Sequence, residues 1–180
     1  STINAMFDTE VVKVGVGVDP ETMEIEKYEL DNLVLWDTPG LGDGKKADNR
    51  HAKNIIKKLS EVDENGDALI DLFLVILDGG TRDLGTSYEL INSVIIPNLG
   101  KGKENRILVA INQADMAMKG RHWDENLNCP DSVLLDFLED KANSVRSRLA
   151  EATGTRVSRP VYYSAERGYN VEKLLEVGGQ

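Results

Sequence analysis

Leu72-Phe73-Leu74-Val75-Ile76-Leu77 is the stretch that decides the fold. Six successive apolar side chains leave no polar face, the pattern of a parallel strand buried on both sides. Arg106 to Ile111 is a second such strand, and Val161 to Tyr163 is a short last one. Helical spacing fills the intervals. Leu84 to Ile96 reads as a helix with Tyr88, Ile91, Val94 and Ile95 inward. Asp131 to Thr153 is a longer one, with a stripe of Leu134, Phe137, Leu138, Val145 and Leu149 and with Gly154 placed to close it. Val171 to Leu175 opens another. Strand and helix in alternation predict a mostly parallel sheet covered by helices on both faces.

Upstream, Ala52, Ile55, Ile56 and Leu59 mark one face of a helix from about Ala47 to Ser60. Met23–Leu30 and Asn32–Trp36 read as two strands split by Asp31-Asn32, a hairpin that gives the sheet an antiparallel edge strand. Thr2 to Phe7 has the spacing of a helix tail. Asp8 to Pro20 reads as a loop, although valine-rich Val11–Val18 is able to extend as a strand. The expected fold class is α/β and three-layered, in one domain over residues 1–180.

The composition narrows the function classes. A chain of 180 residues, 41% hydrophobic and 29% charged, is long enough to hold a core without metals or cross-links. Its single cysteine, Cys129, excludes a disulfide scaffold and a zinc site built on thiolates. No run of 18 apolar residues is present, and the opening residues carry no basic-then-apolar leader, so the expected location is cytoplasmic. A net charge of −10 argues against broad binding to a phosphate backbone.

In a sheet of this type ligands sit beyond the carboxyl ends of the strands. After the strand ending at Trp36 comes Asp37-Thr38-Pro39-Gly40. A carboxylate there can hold Mg²⁺ through water, and the glycine lets a backbone N–H approach a phosphate; an ordinary turn is the alternative. After Ile111 comes Asn112-Gln113-Ala114-Asp115. An aspartate accepts two hydrogen bonds from the N1–H and N2–H₂ edge of guanine, an edge adenine lacks; a polar strand-end cap is the alternative. After Tyr163 comes Ser164-Ala165, small residues whose amides can approach a base carbonyl.

Taken together, these motifs resemble those of the P-loop GTPases of the translation-factor (TRAFAC) class, nearest the Era-like branch and similar to small bacterial GTPases of the ribosome-binding type. Asp37-Thr38-Pro39-Gly40 matches the DxxG motif, Asn112-Gln113-Ala114-Asp115 the NKxD motif with Gln113 for lysine, and Ser164-Ala165 the SAK motif with Glu166 for lysine. Ser1-Thr2-Ile3-Asn4-Ala5-Met6-Phe7 looks like the helix that follows the family's phosphate loop. The resemblance implies a GTP-binding domain that hydrolyses GTP to GDP and phosphate as a switch, with Mg²⁺. It places Asp37 on the metal through water, Thr22 on the metal as the first-switch threonine, and the Gly40 amide on the γ-phosphate. It places Asn112, Gln113, Asp115, Ser164 and Ala165 around guanine, and Ser1 beside the phosphates. A turn or helix cap in Asp19-Pro20-Glu21-Thr22 is the other reading of Thr22.

Three departures from the family stand out. The Gly-x-x-x-x-Gly-Lys-Ser loop is absent from these residues, and the expectation is a G domain whose first strand and phosphate loop precede Ser1. Gln113 lacks the lysine's charge. Leu41 stands where Ras-like enzymes carry the water-positioning glutamine. In the family the strand before the phosphate loop is central, so the slot between Leu33–Trp36 and Leu72–Leu77 is expected to be filled, by closure of these strands on each other, by Val11–Val18, or by a second copy. The chain alone is expected to bind GTP weakly. The rival to an active switch is a degenerate G domain that serves as an interaction module without turnover; the coding sequence upstream of Ser1 separates them.

Lys45, Lys46, Arg50, Lys53, Lys57 and Lys58 crowd one helix, with Asp48 against them. In an acidic protein this is a local basic face, either a solvated surface or a docking site for a protein or ribosomal partner. His51 reads as an exposed helix position, and His122 and Trp123 as surface or loop packing. Homo-oligomerisation is left open.

Overall fold

The computed structural model of the protein describes residues 2, 5, 26–30, 33–37, 45–80, 88–89, 91–100 and 105–178; for 26–30, 33–37, 45–49, 51 and 178 it describes the backbone alone. Chain order is β1 (Glu26–Leu30), β2 (Leu33–Asp37), α1 (Lys45–Leu59), β3 (Phe73–Asp78), a π-helical turn Ile91–Ile95 running into a 3₁₀ turn Ile96–Asn98, β4 (Ile107–Asn112), β5 (Trp123–Asp124), β6 (Cys129–Pro130), α2 (Ser132–Thr153), β7 (Val161–Tyr162) and α3 (Val171–Gly178).

The fold is α/β. β3, β4 and β7 form a parallel sheet in the order β3-β4-β7, with Leu77 facing Ile111 and Ile111 facing Tyr162. A strand's side chains alternate between faces, and β4 shows both faces covered. Ile107, Val109 and Ile111 enter one core with Ile55 and Leu59 of α1, Ile91 and Ile95, and Ala142, Val145 and Leu149 of α2. Leu108 and Ala110 enter a second core with Tyr163, and with Val171 and Leu174 of α3. Helices therefore lie on both faces. α2 starts where the Asp131 carboxylate accepts the Leu134 amide at 3.0 Å, and ends on Gly154 in the left-handed conformation at φ 68°.

The hairpin Glu26–Leu30/Leu33–Asp37 is antiparallel, with Lys27 opposite Trp36. Among the described residues β2 pairs with β1 and β3 with β4, so β2 and β3 do not close directly on each other. Val11–Val18, the other internal candidate for that slot, lies outside the described residues.

Several side chains differ from the sequence expectation. Ile76 of β3 is 43% exposed, so the run Leu72–Leu77 is not buried on both faces along its whole length. Phe137, assigned to the inner stripe of α2, is 41% exposed, and Ile56 of α1 is 37% exposed. Hydrophobic spacing marks a helix face wider than the neighbour that covers it. The region read as helix over Leu84–Ile96 is a π turn and a 3₁₀ turn where described from Ile91 on, with Pro97 at the start of the latter. The small hairpin of β5 and β6 had no sequence signal.

Candidate functional site

Parallel strands bring their carboxyl ends to one edge, and the register sets Asp78 beside Asn112 there. Asn112 is the knot of this edge. Its side-chain Oδ1 accepts the Gln113 amide at 2.7 Å and the Ala165 amide at 3.0 Å. Its own carbonyl accepts the Gly79 amide at 2.7 Å. That close approach requires glycine: a Cβ at residue 79 would stand 2.7 Å from the Asn112 oxygen and 3.1 Å from the Gln113 oxygen. The Gly79 carbonyl in turn accepts the Lys141 ammonium at 2.6 Å. Burial pushes that amine's pKa down, with the Asp78 charge opposing.

Gln113 is left-handed, φ 58° and ψ 40°. This reverses the chain into the 3₁₀ turn Ala114–Met116, where the Ala114 amide donates to the Tyr163 carbonyl at 3.0 Å. Asp115 is thereby set into the fold, 4% exposed, and Ala114 and Ser164 are buried beside the same edge. The Ser164 hydroxyl accepts the Arg167 amide at 3.2 Å, and residues 164 and 169 exchange two backbone bonds at 3.0 Å. The Tyr163 ring points into the second core, where its hydroxyl meets Thr2 Oγ1 at 2.7 Å; burial pushes its pKa up to about 12.

Arg167, Glu125 and Trp123 carried no sequence signal as site residues, yet Arg167 reaches Asp115 and the other two hold Arg167. Arg167 grips the Glu125 carboxylate through two nitrogens, at 2.5 and 3.0 Å, and stands 6.0 Å from the centre of the Trp123 ring. Its Nε is 3.5 Å from Asp115 Oδ2. Trp123 meets Tyr169 edge to face at 5.3 Å. Of the two readings left open, surface or loop packing, Trp123 takes the second as a half-buried ring, and His122 is exposed with its ring on the Asp131 carboxylate at 2.9 Å.

Of the residues singled out from the sequence, the structure gathers Asn112, Gln113, Asp115, Ser164 and Ala165 on one edge. Asp37 is the last residue of β2 rather than the first residue after it. Ser1, Thr22 and Gly40 lie outside the described residues. Among the described residues no group of three histidine, cysteine or carboxylate side chains is assembled to hold a metal. A Mg²⁺ held by one carboxylate, a hydroxyl and phosphate oxygens needs no such group, and the oxygen donors of Asp37 and Thr22 suit that ion. On α1, Arg50, Lys53 and Lys57 are exposed, whereas Lys58 is paired with Glu61 at 2.9 Å. No helix of the described residues is long and apolar enough to cross a membrane.

No family model and no curated protein matches the chain. Among solved structures it is similar to the crystal structure of a probable GTP-binding protein, engB, at 19% identity and a TM-score of 0.49, over 97% of this chain and 90% of that one.

Proposed function

We propose that the protein binds GTP and hydrolyses it to GDP and phosphate as a molecular switch. The observation that carries this reading is the Asn112 side chain, which ties the Gln113 and Ala165 amides together next to the buried Asp115 carboxylate. Two segments far apart in sequence are joined at the carboxyl edge of a parallel sheet, and among the described residues the one buried charge at that edge is an acceptor pair suited to guanine. In this reading Asn112 holds the two loops together, Asp115 accepts N1–H and N2–H₂, the Gln113 side chain covers the base, and the Ser164-Ala165 turn offers an amide to the base oxygen. Mg²⁺, when bound, neutralises phosphate charge. Asp37, through water, and Thr22, through its hydroxyl, would hold it, and the Gly40 amide would donate to the γ-phosphate. Loss of that phosphate releases the loops that carry Thr22 and Gly40. The location is cytoplasmic.

Calorimetric titration with GDP, ADP and xanthosine diphosphate, using the protein at its full natural length, tests the assignment. GDP binds in preference to ADP. Asp115→Asn shifts the preference towards the xanthine nucleotide, because an amide donates to its O2, and weakens GDP by roughly 2–4 kcal/mol. Unchanged GDP affinity in that variant rejects the assignment. The exposed basic side chains of α1 are a docking face for a protein or ribosomal partner. Arg50, Lys53 and Lys57 reversed to glutamate slow that association, and intrinsic hydrolysis stays the same.

A further inference from the structure

Arg167 poses a problem for the site just described. The guanidinium already meets Asp115 through Nε, 3.5 Å from Oδ2, and is placed to turn its two terminal nitrogens onto that buried carboxylate as well. If it did so, it would occupy acceptor positions that a base must use. Two neighbours oppose that closure. Glu125 takes both terminal nitrogens of Arg167 in a fork, at 2.5 and 3.0 Å. The Trp123 ring lies beneath the guanidinium and is itself fixed by the Tyr169 edge. Exposed ion pairs are ordinarily weak, but a two-pronged arginine–carboxylate contact over an aromatic face is the geometry that holds. The backbone reinforces it: Asn128 Nδ2 donates to the Arg167 carbonyl at 2.8 Å, tying this residue to the β5–β6 hairpin that carries Trp123 and Glu125.

We propose that Glu125 and Trp123 form a clasp that keeps the two terminal nitrogens of Arg167 off Asp115 and limits it to the single Nε contact, so that the carboxylate keeps acceptors available to the paired donors of a purine edge. Glu125 is a positioning residue in this scheme, and base selectivity depends on it although it touches no nucleotide. The inference rests on the assignment of Asp115 to guanine. The test is the ratio of GDP to ADP affinity, measured by calorimetry on the protein at its full natural length. Damage to the fold lowers both affinities together, whereas loss of the carboxylate's acceptors lowers GDP alone.

In Glu125→Gln the terminal nitrogens of Arg167 are released onto Asp115, and the GDP-to-ADP ratio falls about tenfold. Removing the intruder as well, in the double variant Glu125→Gln/Arg167→Gln, recovers part of the ratio. An unchanged ratio in Glu125→Gln, or no recovery in the double variant, overturns the clasp. A wild-type protein that shows no preference for GDP over ADP overturns the guanine assignment itself, which is a different failure.

Discussion

The two ends of β4 are closed by different chemistry. At its start Arg106 spreads its guanidinium over three backbone carbonyls, those of Ile70, Asp71 and Leu99. At its finish Asn112 gathers two amides on one oxygen, and Arg167 beyond it binds carboxylates. The arginine at the start has directed its donors onto groups that can never leave. The arginine at the finish is held by side chains, and among the described residues the Asp115 carboxylate beside it pairs with that arginine's Nε and with no backbone N–H. A saturated end serves only the fold, whereas an end with a charge held in reserve can exchange partners with a ligand.

Arg106→Ala is the most severe way to break the comparison. Three carbonyls lose a charged donor, and the expected loss is about 3 kcal/mol in chemical denaturation, with the GDP-to-ADP ratio untouched. Alkaline titration gives the next largest effect. Because burial raises the Tyr163 pKa from 10.0 to about 12, the folded state keeps its phenolic proton where the unfolded state has lost it. This contribution is complete below pH 10.0 and is lost as pH rises through the folded value, a fall of about 2 kcal/mol by the end of that window. Tyr163→Phe should flatten that fall in melts taken across the range.

Asn112→Ala should cost about 1–2 kcal/mol, since two amides lose their acceptor. Unlike Arg106→Ala, it should also abolish the nucleotide preference. The smallest effect concerns Gln113. Glycine there relieves a left-handed backbone and should stabilise the fold by less than about 1 kcal/mol, while thermal melts of a β-branched replacement such as Gln113→Val should show a loss of at least that size.

Legibility in the sequence divides along similar lines. β4 was readable because all its apolar side chains are covered, and covered strands are written without alternation. The motifs after β4 and β7 were readable because each joins a small turn residue to a polar group at a fixed offset, and the structure sets Asn112, Asp115 and Ala165 on one edge. Phe137 and Ile76 misled because a hydrophobic period records which residues are apolar, not whether a neighbour reaches them. The clasp was unreadable for another reason. Glu125 and Arg167 are 42 residues apart, both in loops, and loop side chains have no period that ties one to the other. Gln113 was similarly silent, because glutamine is no signal of positive φ.

The left-handed backbone has a consequence for the thermodynamics of recognition. Five non-glycine residues have positive φ among the described residues, Gln113, Lys119, His122, Asn128 and Asn170, and four of them fall in the connection from β4 to β6. Asparagine and histidine enter that region readily, but glutamine and lysine do so at roughly 1–2 kcal/mol each. Such conformations persist only where surrounding contacts over-determine them. This connection therefore acts as a mould set before any ligand arrives, not a hinge that shuts on it. Its ordering entropy is spent during folding, and under the proposed function a base entering beside Asp115 would meet a surface already in its final shape.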